Sequence, residues 1–239
     1  MWKHYGWYPG KFFESWIRQH IAVLSGNSDL TFSDLQKLAR AEPGRFLELH
    51  VTGTDLSGQC AKVYSADNTP DMPIWKALRI SMSIPLFFAA VREENRVLVD
   101  GGVLWNYPID LFDDACHVDL KAQKTVHHCP VNATTLGLRV DCSNDPRRPP
   151  PHPTQVDGMK DYLMVLAGLV VDMANKVHLK PADWQRTIYI DTGNIRATDF
   201  DLKPADIAAL LESGERAAER YLQWFFNPNE KPLHRVVST

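Results

Sequence analysis

The 239-residue chain contains no Gly-x-Ser-x-Gly segment, so it shows no serine on a tight strand-to-helix elbow. It has only four cysteines, Cys60, Cys116, Cys129 and Cys142, with no close pairing and no Cys-x-x-Cys. That spacing argues against a structural zinc site and leaves reduced thiols in a cytosolic setting as the expectation. Basic residues are not in excess: 26 Lys and Arg stand against 29 Asp and Glu, for a net charge of −3. A dedicated nucleic-acid binder is usually basic, so no nucleic-acid partner is expected. No run of like charges marks a tail. The first ten residues are aromatic and polar, without the basic-then-apolar layout of a secretory signal. The longest apolar stretch, residues 162–171, is too short to span a bilayer. No oxygen-rich calcium loop is visible. A cytoplasmic or peripherally membrane-bound protein is the expectation, with no cofactor and no metal.

The 44% of apolar residues is enough to bury a sizeable core. Residues 10–24 read as an amphipathic helix, because Phe13, Trp16, Ile17 and Ile21 recur at helical spacing and Gly26 follows as a stop. Thr31 has the position of an N-cap, with Asp34 three residues on. Residues 45–52 alternate apolar and polar and predict a half-buried strand, followed by a turn at 55–58 and a second strand at 59–65. Pro73 opens a helix containing Ile74, Trp75, Ala77, Leu78 and Ile80, which Ser83-Ile84-Pro85 ends. Further strands are expected at 96–99, 135–140 and 187–190, and helices at 158–177 and 204–225. The proline-rich residues 146–153 predict an extended surface segment. Strands alternating with helices give an α/β class, with a central sheet covered on both faces. The chain opens on a helix, with no strand expected before it.

One segment points to chemistry. Residues 97–108 read Val-Leu-Val-Asp-Gly-Gly-Val-Leu-Trp-Asn-Tyr-Pro, a short apolar strand running into Asp100, Gly101 and Gly102. Glycines after the acid let the chain turn sharply and expose the carboxylate. Ligands of open α/β sheets gather at the carboxyl ends of strands, where an Asp can act as a general base. The plainer reading is a turn Asp bonded to its own backbone.

Other clusters are weaker. His127, His128 and Cys129, near Cys116, His117 and Cys142, fit a polar loop better than a metal site. Trp2, Tyr5, Trp7 and Tyr8 either pack on the protein or meet lipid at an interface. Residues 162–171 fit a buried core helix better than an acyl groove. Arg147 and Arg148 fit a solvated loop better than a site for anionic head groups. Asp55 is read as a turn residue capping its own backbone.

Three segments occur in order: Val51-Thr-Gly-Thr-Asp55-Leu-Ser-Gly58, Ala77-Leu-Arg-Ile-Ser81-Met-Ser-Ile-Pro85-Leu-Phe, and Val99-Asp-Gly-Gly-Val-Leu-Trp-Asn106-Tyr-Pro108. Together they resemble the patatin-like phospholipase family. Residues 186–191 and 199–202 and the final helix also resemble that family's ending.

The resemblance implies a three-layer α/β/α fold with a central, mostly parallel sheet, as a single domain over residues 1–239 that is incomplete at its N-terminus. It implies a lipid acyl hydrolase acting on membrane lipid or lysolipid through a Ser–Asp dyad. Asp100 would be the proton acceptor. Gly101, Gly102, Asn106 and Pro108 would shape its turn. The nucleophile would lie outside this chain, since Ser25, Ser28, Ser57, Ser81, Ser83 and Ser213 all lack the elbow pattern. A glycine-rich oxyanion loop is missing too. The alternative is a non-catalytic lipid-binding or regulatory protein on the same shell. Peripheral membrane contact fits both readings, and no protein partner is implied.

Overall fold

In a computed structural model, residues 5–113, 132, 134–141, 156–176, 181–193, 195 and 201–227 are described. They fall into two compact units, Met1–Tyr107 with Val156–Val177, and Pro108–Gln155 with His178–Thr239. The histidine and cysteine cluster of residues 116–142, Arg147, Arg148 and Trp2 lie outside the described residues.

The first unit holds β1 (Gly6–Tyr8), α1 (Lys11–Ser25), α2 (Phe32–Ala41), β2 (Val51–Asp55), β3 (Cys60–Tyr64), α3 (Ile74–Ser81), β4 (Leu86–Phe88), β5 (Val91–Glu93), β6 (Arg96–Asp100) and α4 (Met159–Lys176). Gly26 ends α1 in a left-handed conformation at φ 80°, its amide reaching the Ala22 carbonyl at 2.8 Å, as a C-terminal glycine should. Thr31 caps α2, its hydroxyl accepting the Asp34 amide.

The four-stranded sheet runs β3-β2-β6-β5. All three of its pairings are antiparallel, where the resemblance implies a mostly parallel sheet. For two of the three the reason is local: short turns join β2 to β3 and β5 to β6, and a short turn can only return the chain antiparallel. Parallel pairing occurs in two separate two-stranded sheets, β1 with β4 and β7 (Gly137–Asp141) with β8 (Thr187–Asp191). The α/β class stands.

Two other expectations change. A strand, β1, does precede the first helix, paired with β4 from Gly6–Leu86 to Tyr8–Phe88. The strand expected over residues 45–52 begins only at Val51, opposite Tyr64. Residues 47–50 have no strand partner, because β3 ends at Tyr64. Apolar–polar alternation cannot make a strand where no neighbour offers hydrogen bonds.

The core of this unit lies on one sheet face. Val51, Tyr64 and Leu98 meet Ile74, Ala77 and Ile80 of α3, with Leu30 and Phe32 closing one end. Ile74, Ala77 and Ile80 are three residues apart and share one helix face. Each fully buried large side chain here contributes roughly 1.5–3 kcal/mol. At the far end of β2, buried Asp55 accepts the Gly58 amide at 2.9 Å and pairs with Arg96 at 2.5 Å. The turn role expected of Asp55 is present, together with an ion pair to β6.

The second unit contains β7 (Gly137–Asp141), α5 (Pro181–Trp184), β8 (Thr187–Asp191) and α6 (Pro204–Phe226). β7 and β8 pair in parallel over five residues. Arg186 grips Asp113 with both terminal nitrogens, at 2.5 and 2.6 Å, and also binds Asp183 at 2.8 Å and the Asn132 carbonyl at 3.2 Å. α6 packs on β8, with Tyr221 Oη donating to the Gln185 carbonyl. No helix among the described residues is long and apolar enough to cross a membrane.

Candidate active site

Asp100 is the last residue of β6, half-buried and opposite Gly53 of β2. Its amide donates to the Ser83 carbonyl at 3.0 Å. Its Oδ1 accepts the Gly102 amide at 2.6 Å, capping a 3-10 turn at Gly101–Val103. No cation among the described residues bonds the carboxylate. Burial therefore pushes Asp100 up to about 6, against the opposing pull of the Gly102 amide. An acid with that balance holds a proton in mildly acidic solution and gives it up near neutrality, which suits a general base.

The two glycines are needed for space rather than for backbone freedom, which corrects the reason given from sequence. Neither has a positive φ. A Cβ on Gly101 would lie 2.4 Å from Thr52 Oγ1 and 2.8 Å from the Thr52 backbone carbonyl. A Cβ on Gly102 would lie 2.9 Å from Asn106 Oδ1 and 3.0 Å from Asp100 Oδ1. The second glycine thus marks a point against which the Asp100 and Asn106 side chains both converge. Pro108 opens the second unit, where its carbonyl accepts the Leu111 amide.

Ser83 is buried, and its hydroxyl is already used. It donates to the Arg79 carbonyl at 2.7 Å and accepts from Arg79 Nη1 at 2.5 Å. It is placed to support the turn. Ser57 Oγ accepts the Val97 amide, and Ser213 Oγ donates to the Asp191 carbonyl. No group of three or more potential metal ligands occurs among the described residues.

Sequence reading missed Arg79, Thr52 and the β4 segment as supports of this site. Arg79 is one of two basic residues of α3, with Lys76, and the sequence does not show that it is the buried one.

α4 packs against the 3-10 turn and β4. It is not the buried helix expected. Met159, Tyr162, Leu166 and Leu169 are exposed, and their spacing of three and four residues places them on one stripe. Near the N-terminus, Tyr8 packs on Phe87 with ring centroids 5.2 Å apart, and Arg92 lies over the Tyr5 ring at 4.7 Å. Both tyrosines remain about half exposed.

Comparison with known proteins adds to this geometry. Residues 1–113 match the family model for patatin-like phospholipase. The chain is 29% identical over 232 residues to the protein YqhO of Bacillus subtilis (strain 168), an alignment covering 92% of this chain and 69% of that one. A probable lipid hydrolase, 463L of Invertebrate iridescent virus 6, is 39% identical over 49 residues, covering 20% of this chain and 17% of the viral protein. The crystal structure of VipD from Legionella pneumophila resembles the fold with a TM-score of 0.50 at 18% identity, covering 82% of this chain and 35% of VipD. The chain thus spans about two thirds of YqhO and about a third of VipD. The Asp100-Gly101-Gly102 turn lies within the residues that match the patatin-like phospholipase family model.

Proposed function

We propose that this chain is part of a lipid acyl hydrolase in which Asp100 is the proton acceptor of a Ser–Asp dyad. The serine is supplied by sequence outside residues 1–239. The observation that supports this most is the state of Asp100: a strand-end carboxylate, desolvated and held by a backbone amide, with no cation bonded to it among the described residues. A carboxylate tied into an ion pair would be a poor base, whereas this one is left able to receive a proton. The serine hydroxyl would pass its proton to Asp100 as its oxygen attacks the ester carbonyl. The proton would then go to the leaving alcohol, and water would clear the acyl-serine. The dyad as proposed calls for no metal or cofactor. The Gly102 amide orients the carboxylate, and Gly101, Gly102 and Asn106 shape the turn around it.

The substrate class proposed is an acyl ester of a membrane lipid or lysolipid. The viral relative's name and the exposed apolar stripe of α4 beside the 3-10 turn support it. The same stripe supports peripheral contact with a membrane.

One observation favours a second reading. Residues 1–239 contain no Gly-x-Ser-x-Gly. A non-catalytic lipid-binding or regulatory protein on the same shell would keep the apolar stripe without the nucleophile. The experiment that separates the two reads the DNA upstream of codon 1 for an in-frame Gly-x-Ser-x-Gly and assays the longer chain on acyl-ester micelles. Hydrolysis supports the enzyme. Vesicle binding without hydrolysis supports the binder.

A further inference from the structure

Arg79 is a buried cation that no carboxylate bonds among the described residues. Its guanidinium binds neutral acceptors only. Nη1 donates to Ser83 Oγ at 2.5 Å, with Met82 Sδ at 3.6 Å. Nη2 donates to the carbonyls of Pro9 at 2.8 Å and Ala89 at 2.9 Å. Glu14 of α1 acts on it through space but does not bond it, and burying a charge without a bonded opposite charge is costly, so the arrangement calls for a use.

The acceptors share a geometry. Ser83 and Ala89 bracket the segment that leads from α3 through β4. Within it Leu86 sits at φ 67°, a conformation that branched, bulky residues rarely adopt. Ser83 also accepts the Asp100 amide on its backbone carbonyl. Pro9 stands at the entrance to α1. The guanidinium reaches it because residue 10 is glycine: a Cβ there would lie 2.6 Å from Arg79 Cζ. One side chain therefore links the entrance of α1, the strained segment and the turn that holds Asp100.

We propose that Arg79 is a positioning residue for Asp100, fixing the Ser83 turn and the entrance of α1 to one another. This rests on the reading of Asp100 as a proton acceptor, since that reading gives the placement its purpose. Planar, multidirectional donation is what the task requires, and a lysine ammonium cannot reproduce it.

The test is amide hydrogen exchange and carboxyl NMR titration on the 239-residue chain, comparing wild type with Arg79→Met, Arg79→Lys and Ser83→Ala. In Arg79→Met the Asp100 amide exchanges at least tenfold faster, and the Asp100 carboxyl titrates closer to the ordinary carboxylate range as water enters. The Lys62 and Tyr64 amides of β3 keep their wild-type exchange. Arg79→Lys rescues the Asp100 amide only in part. A folded Arg79→Met with wild-type Asp100 exchange and titration overturns the proposal. So does an equal rise in exchange across β2, β3 and β6, which marks general loosening. If Arg79→Met does not fold, Ser83→Ala decides, because it removes the hydroxyl and leaves the carbonyl that holds Asp100. Exchange at Asp100 then rises at least threefold, and an unchanged rate overturns the proposal. The dyad reading fails separately, through activity that survives Asp100→Asn in a longer chain, a result that leaves these exchange rates untouched.

Discussion

Asp100 Oδ1 receives the amide of Gly102 at 2.6 Å, and no cation among the described residues bonds the carboxylate. The carboxylate is therefore oriented by backbone but not neutralised. The strand end delivers a desolvated acid whose affinity for a proton is set by burial.

That state has a signature in stability. Folding raises Asp100 from its ordinary value of 3.8 to about 6, so the folded protein binds this proton more tightly than the unfolded chain. The stability due to protonated Asp100 is fully present below pH 4 and is lost as pH rises through 6. Asp100→Asn is uncharged at every pH and can still accept the Gly102 amide. Its stability should match wild type near pH 4 and exceed it by roughly 3 kcal/mol above pH 7. Urea denaturation of both chains at the two pH values measures the gap. A gap independent of pH would contradict the burial argument.

The two glycines should separate by substitution. Gly101→Ala forces a Cβ into the Thr52 backbone, which cannot yield, and should destabilise by about 1–3 kcal/mol or more. Gly102→Ala meets the ends of two side chains, Asp100 and Asn106, which can move. It should fold with near-native stability but shift the Asp100 titration. Thermal melts with carboxyl NMR distinguish the two effects.

Asp55 titrates with the opposite sign. The Gly58 amide, and then Arg96, hold its carboxyl below the ordinary range against the pull of burial. The stability it contributes is present above pH 4 and is lost as pH falls through the depressed value. Asp55→Asn should destabilise the chain at pH 7, with the difference from wild type shrinking on acidification. A difference that grows in acid would contradict the assignment.

Much of this architecture could be read from residue types with local consequences. Gly26 and Thr31 mark helix ends because their requirements are met within four residues. The hairpin of β2 and β3 and the strand leading to Asp100 were legible for the same reason. What escaped depends on distant partners. Residues 45–52 alternate like a strand, yet over 47–50 no neighbouring strand extends far enough to pair with them. β1 and β4 are three residues each and are defined by one another. Gly101 and Gly102 stand out in the sequence, but the steric reason for glycine there lies with Thr52 and with the Asp100 and Asn106 side chains, which no turn rule can supply. Arg79 joins Pro9 to Ala89 across 80 residues of sequence, and nothing nearby announces it.

Glu94 offers a test of the backbone reading. It sits at φ 51° in the two-residue turn between β5 and β6, at a position that favours glycine. Glu94→Gly should raise stability by about 0.5–1 kcal/mol. A lower melting temperature for the variant would mean that the turn is not under strain.

The most direct measurement is labelling by a serine-directed fluorophosphonate, run beside acyl-ester hydrolysis. Residues 1–239 alone should take no label. A longer chain bearing an in-frame Gly-x-Ser-x-Gly should take one equivalent and hydrolyse ester, and Asp100→Asn in that chain should lower kcat by about a thousandfold or more with KM little changed. Stoichiometric labelling of a serine within residues 1–239, or undiminished hydrolysis by the Asp100→Asn chain, would contradict the account.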